Sequence, residues 1–78
     1  MNSEQIENLL RTAFPDAQVC VGSDDNTHFS AKIIDDGFVG LSRVARHRRV
    51  HDAIGPALGR EIHAMTFTLR TSAEDVAV

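Results

Sequence analysis

Four histidines, one cysteine and four arginines crowded between positions 43 and 49 are the side chains with the widest chemistry open to them in this chain. Imidazole and thiolate bind transition metals, and a neutral imidazole also accepts protons. His63 stands in REIHAMTFTLR (60–70), which alternates like a half-buried strand. His63, Met65, Phe67 and Leu69 fall on one side, and Ala64, Thr66, Thr68 and Arg70 on the other. An imidazole at the edge of such a strand has two uses. It tucks its ring against the core and bonds a carbonyl, or it presents a nitrogen to a metal. Cys20 falls out of phase with Ala17, Val19 and Val21, and His28 out of phase with Phe29, Ala31 and Ile33, so both are predicted on the side away from the core. A lone strand cysteine is ordinarily an inert packing residue, and this one can ligate a metal only if it is exposed.

Arg43, Arg46, Arg48 and Arg49, accompanied by His47 and His51, make a basic patch on a chain of net charge −3. Guanidinium groups contact phosphates, so the patch suits a nucleic-acid backbone. Solvated charge at a helix start is the plainer alternative, and His47 also suits a structural role, fixing a turn. No G-x-x-G loop stands between the helices expected on either side of the arginines, which leaves RNA clamping of the KH type unsupported.

Enzyme classes fare poorly. The chain has no G-x-S-x-G, no P-loop and no dinucleotide fingerprint, and its histidines have no nucleophile and orienting acid at a recognisable spacing. A single cysteine excludes an internal disulfide and a CxxC pair, and four closed zinc ligands are missing. The expectation is a binding and regulatory module without its own catalysis.

These side chains need a scaffold, and 78 residues suffice for one small domain, 1–78, and not for two. With 42% hydrophobic and 24% charged residues the composition is that of a globular protein. NSEQIE follows Met1 and no apolar run approaches a spanning length, so no membrane segment is expected and the cytoplasm or an organelle interior is indicated, the cytoplasm first.

Asn2 or Ser3 caps a first helix with Ile6, Leu9, Leu10 and Ala13 on one stripe, stopped by Pro15. AQVCVG (17–22) and HFSAKI (28–33) alternate around the turn residues SDDN (23–26) and read as a β-hairpin. DDGFVG (35–40) breaks the strand. Helical spacing begins at Leu41 and Val44, lapses at the charged RHRR and resumes with Val50, Ile54, Ala57 and Leu58, which predicts a short helix, a turn and a second helix. Gly55 and Pro56 predict a kink or an early end. The 60–70 strand follows, and Thr71 with Glu74 forms a capping box for a last short helix. The sum is a two-layer α+β domain, with a three-stranded sheet covered on one face by helices.

FVGLSRVARHRRV followed by IHAM resembles the F-x-G…RHR-x-V…[IV]-H-A signature of the BolA family, through Phe38, Gly40, Arg46, His47, Arg48, Val50, His63 and Ala64. THF (27–29) resembles the start of that family's second strand, and RTSAED (70–75) resembles its T-P-x-E-W tail without the proline and tryptophan. The resemblance covers most of the chain in the right order. It implies a class II KH-like fold: helix, β-hairpin, helix-turn-helix, third strand and short C-terminal helix. It also implies a monothiol glutaredoxin as partner, sharing a glutathione-ligated [2Fe-2S] cluster in iron–sulfur trafficking or iron homeostasis. No cofactor is then expected in the isolated chain, which is a monomer or homodimer when alone.

Some members of the family are described as DNA-binding regulators, so the alternative function is transcriptional regulation, with weak DNA binding through Arg43, Arg46, His47, Arg48 and Arg49; under the glutaredoxin reading the resemblance gives the same residues the acidic or glutathione-bearing surface of that partner. His63 matches the family's cluster histidine. The second ligand, Cys or His, usually lies in the loop between the first two strands, but GSDDNT (22–27) holds neither. His28 just after the loop and Cys20 just before it are the candidates; Asp24 and Asp25 offer oxygen, a poor match for iron–sulfur chemistry.

Overall fold

In the computed structural model the described residues are 2–25, 28–57 and 64–76. Helix α1 spans Ser3–Ala13. Asn2 starts it through a capping box: its side chain accepts from the Gln5 amide at 2.8 Å while Gln5 Oε1 accepts from the Asn2 amide at 2.9 Å. The helix ends at Phe14, just before Pro15. Strands β1 (Gln18–Gly22) and β2 (His28–Ile34) form the expected antiparallel hairpin, and β3 (Ala64–Arg70) joins β2 in parallel, giving the order β1-β2-β3.

Alternation sorts the sheet into two faces. Val19, Phe29, Ala31 and Ile33 are buried against Ile6 and Leu10 of α1, and Met65, Phe67 and Leu69 pack partly buried on the same core. Cys20, His28, Ser30, Lys32 and Thr66 are exposed on the other face. The expected two-layer α+β fold with a three-stranded sheet is what the chain adopts.

One detail inside it differs. No turn divides 43–54, where the apolar spacing lapses. A 3-10 turn at Asp36–Phe38 is followed by one continuous helix, α2 (Arg43–Ile54), which runs through RHRR. Arginine is a good helix former, no glycine or proline falls inside the span, and Ser42 Oγ caps it by accepting from the Ala45 amide at 3.1 Å. The charged lapse is largely the solvent side of an amphipathic helix whose inner face is held by Val50 and Ile54. The early stop at Gly55 is as expected, because its φ of 71° suits glycine and a 3-10 turn follows at Gly55–Ala57. Phe38, fully buried, meets Phe14 at 6.0 Å between ring centroids and plugs the core between the two layers.

The closing helix α3 (Ser72–Val76) has its capping box: the Thr71 amide donates to Glu74 Oε1 at 2.8 Å and the Glu74 amide to Thr71 Oγ1 at 3.3 Å. Among the described residues no helix is long and apolar enough to cross a membrane.

Candidate functional site

The turn between β1 and β2 presents His28 as the first residue of β2, on the open face of the sheet. Asp25 grips it twice. Its Oδ1 accepts from the His28 backbone amide at 2.8 Å, and its Oδ2 lies 2.9 Å from the ring Nδ1. An ionised carboxylate only accepts, so Nδ1 carries the hydrogen and the lone pair of the neutral ring sits on Nε2. The ring side chain is 72% exposed, leaving Nε2 open to a ligand from outside. A carboxylate behind an imidazole is the arrangement by which proteins orient metal-binding histidines. Beside it lies a cavity of about 340 Å³ bordered by Gly22, Ser23, His28, Ser30 and Thr66.

His63, the principal candidate, lies outside the described residues. Its covalent neighbour Ala64 is the register partner of His28. Cys20 shares the open face and is exposed, but its register partner is Lys32, four residues along β2 from His28. At about 3.3 Å per residue the offset is roughly 13 Å, and strand side chains stand nearly perpendicular to the sheet, so Cys20 and His28 do not converge. Among the described residues no three metal-ligating side chains cluster.

The arginines sit in the helical layer and have separate employments. Arg46 is folded inward, its side chain 12% exposed. Its Nε donates to Leu41 O at 3.1 Å, Nη1 to Leu69 O at 3.2 Å and to Glu74 Oε1 at 2.7 Å, and Nη2 to Glu74 Oε2 at 3.1 Å. The hydrogen bond from Arg46, helped by that from Thr71, draws the Glu74 carboxyl down from 4.5 to about 2, and the same pairing raises Arg46. Arg49 donates to Gly37 O at 3.1 Å and remains exposed. Arg43, Arg48 and Arg49 are separated by roughly 100–140° around the helix axis, so they do not form one face.

His47 stands edge-on to Phe67 at 5.7 Å, and His51, one turn on, lies 5.5 Å from the same ring. The contact ties α2 to β3. Two contributors were not apparent from sequence: Asp25 behind His28, and Arg70, which shares a cavity with Arg43 and His47. Asp25 had a local signal, an acid three residues before a histidine across turn chemistry. Arg70 had none.

Comparison with known proteins bears on this geometry. The family model described as BolA-like protein matches residues 9–74. A protein from the rpoN-murA intergenic region of Acinetobacter guillouiae is 37% identical over 75 residues, covering 95% of this chain and 89% of that protein. Human BolA-like protein 1 is 42% identical over 48 residues, 62% of this chain but 35% of the human one, so the chain spans about a third of that relative. Among solved structures, a bolA protein homologue from Coxiella burnetii superposes with a TM-score of 0.84 at 26% identity, covering 97% of each chain. The BolA domain of SufE1 from Arabidopsis thaliana superposes with a TM-score of 0.78 at 30% identity, covering 92% of this chain and 93% of that one.

Proposed function

This chain belongs to the BolA-like protein family, and on that premise we propose that it is a non-catalytic adaptor that docks a monothiol glutaredoxin and shares a glutathione-ligated [2Fe-2S] cluster with it. The observation that carries the reading is the pairing of Asp25 with His28. It turns an exposed imidazole into a preoriented nitrogen donor, at the register position beside the residue that follows His63.

The donor set suits the task. Two imidazoles from this chain would complete a cluster whose remaining ligands are a glutaredoxin cysteine and a glutathione thiolate, and nitrogen in place of thiolate raises the reduction potential of such a centre. His28 then takes the place that the family gives to a loop residue, which accounts for a β1–β2 turn without Cys or His. Asp25 holds the ring and keeps its hydrogen on Nδ1; Cys20 stays outside the ligand set. The presence of a BolA domain in a SufE-like protein supports a setting in iron–sulfur metabolism.

The test is reconstitution with a monothiol glutaredoxin, glutathione, iron and sulfide. A coloured one-to-one complex whose visible circular dichroism changes in both His28→Ala and His63→Ala is the expected result. Separate colourless proteins, or a cluster spectrum indifferent to both substitutions, would reject the reading.

A further inference from the structure

A second site lies in a different part of the molecule, over the outer edge of β3. There a cavity of about 430 Å³ is lined by Arg43, His47, Phe67, Thr68, Leu69 and Arg70. That is within the size range of small-ligand pockets. The lining offers two guanidinium groups, an imidazole and a hydroxyl, and it includes no carboxylate.

The arginines are available. The Arg43 side chain makes no hydrogen bond or ion pair among the described residues. Arg70 has one long contact, 3.6 Å to Asp75, a carboxylate that Lys32 holds more closely at 2.9 Å. A guanidinium carries five N–H donors, so Arg70 retains most of its own. The adjoining cavity, which shares Arg43, Leu69 and Arg70, differs because Arg46 and Glu74 line it and neutralise each other. Uncompensated positive charge is therefore concentrated on one side of Arg43 and Arg70.

We propose that Arg43, His47 and Arg70 form a subsite for a phosphate monoester whose organic body rests on Phe67. The charge count selects the ligand: a phosphate monoester carries about −1.5 to −2 at neutral pH with three strong acceptor oxygens, matching two guanidinium groups, whereas a carboxylate carries −1. Thr68 adds a hydroxyl donor at the rim. Phe67, partly buried beneath the two imidazoles, supplies an apolar floor beyond the phosphate. A nucleic-acid duplex fits less well, because Arg48 and Arg49 point away from this corner and leave no extended row of cations. The proposal is independent of the cluster reading, since His28 lies on the open face of the sheet and contributes nothing here.

The experiment is a titration of the 15N-labelled full chain, in phosphate-free buffer, with phenyl phosphate, inorganic phosphate and benzoate in turn. Amide shifts centred on Arg43, His47, Thr68 and Arg70 are expected, with phenyl phosphate the tightest of the three. Arg43→Gln and Arg70→Gln should each weaken phenyl phosphate about tenfold, as loss of one charge-assisted hydrogen bond implies. Arg48→Gln, an exposed arginine elsewhere on the same helix, should change nothing. Spectra that superpose away from the site establish that the variants are folded. Equal weakening by Arg48→Gln, or shifts scattered over the surface, would overturn the subsite in favour of diffuse attraction. Benzoate bound as tightly as phenyl phosphate would overturn the phosphate assignment.

Discussion

Arg46 holds both carboxylate oxygens of Glu74, at 2.7 and 3.1 Å, across 28 residues of sequence. Because the same guanidinium also caps the carbonyls of Leu41 and Leu69, one side chain joins the start of α2, the edge of β3 and the closing helix. Glu74 in turn accepts from the Thr71 amide, so the α3 cap and the inter-element clasp are one network. The RHR arginine at this position is thus built into the fold.

That network makes stability acid-sensitive in a defined window. The Glu74 carboxyl sits at about 2 in the folded chain against an ordinary 4.5. A depressed carboxyl contributes stability that is fully present above its unfolded value and is lost as the pH falls through the folded one. The melting temperature should therefore decline between about pH 4.5 and pH 2, and more gently in Glu74→Gln, which starts lower at neutral pH. Thermal melts by circular dichroism of both proteins across that range check it; parallel curves would remove Glu74 from the acid response.

Core substitutions should separate two phenylalanines. Phe38 is 0% exposed, so Phe38→Ala leaves a cavity and should cost about 3–5 kcal/mol, a large share of the stability of so small a domain. Phe67 is only partly buried, its ring covered by His47 and His51. Phe67→Ala should cost less, about 1–2 kcal/mol. Urea denaturation at neutral pH ranks them, and a Phe67→Ala loss equal to that of Phe38→Ala would contradict the burial order.

The element order, the hairpin, the β3 alternation and the Thr71–Glu74 cap were legible because each rests on local periodicity or on a pair three residues apart. The continuity of α2 was not. A gap in the apolar pattern is the same whether a helix ends or turns its charged side to water, and only the inward fold of Arg46 distinguishes them. The site divides likewise. His28 was identifiable from strand phase, and Asp25 lies close enough in sequence to have been paired with it. The meeting of Arg43 with Arg70, and of Arg46 with Glu74, depends on how β3 lies against α2, which no local pattern encodes.

Asp25 should act on the shared cluster through the His28 ring. Asp25→Asn keeps size while removing the charge that holds the hydrogen on Nδ1, so 15N spectra of the imidazole at alkaline pH should show a shift toward the other tautomer. If His28 binds the shared cluster, loss of this outer hydrogen bond should weaken retention about tenfold to a hundredfold, less than His28→Ala does. Asp25→Asn added to His28→Ala should bring no further loss. A further loss would mean that Asp25 acts on the site by some other route.

DNA binding, if present, should be shallow in its salt dependence. Four arginines each neutralising a phosphate would give a slope of log K against log salt of about −3.6, at roughly −0.9 per contact. Arg46 is withdrawn by its bonds to Glu74, Leu41 and Leu69, and Arg43, Arg48 and Arg49 diverge around α2. No more than two of them reach one duplex together, which limits the slope to about −1.8. Arg48→Ala should roughly halve that slope if Arg48 is one of the two. Arg46→Ala, wherever it remains folded, should leave the slope unchanged, because the residue it removes makes no phosphate contact. Fluorescence anisotropy with a labelled duplex between 25 and 200 mM salt measures all three proteins. A wild-type slope near −3.6 that falls by a quarter in Arg46→Ala would show that the guanidinium leaves Glu74 to bind DNA, and would restore the basic stretch as a nucleic-acid interface.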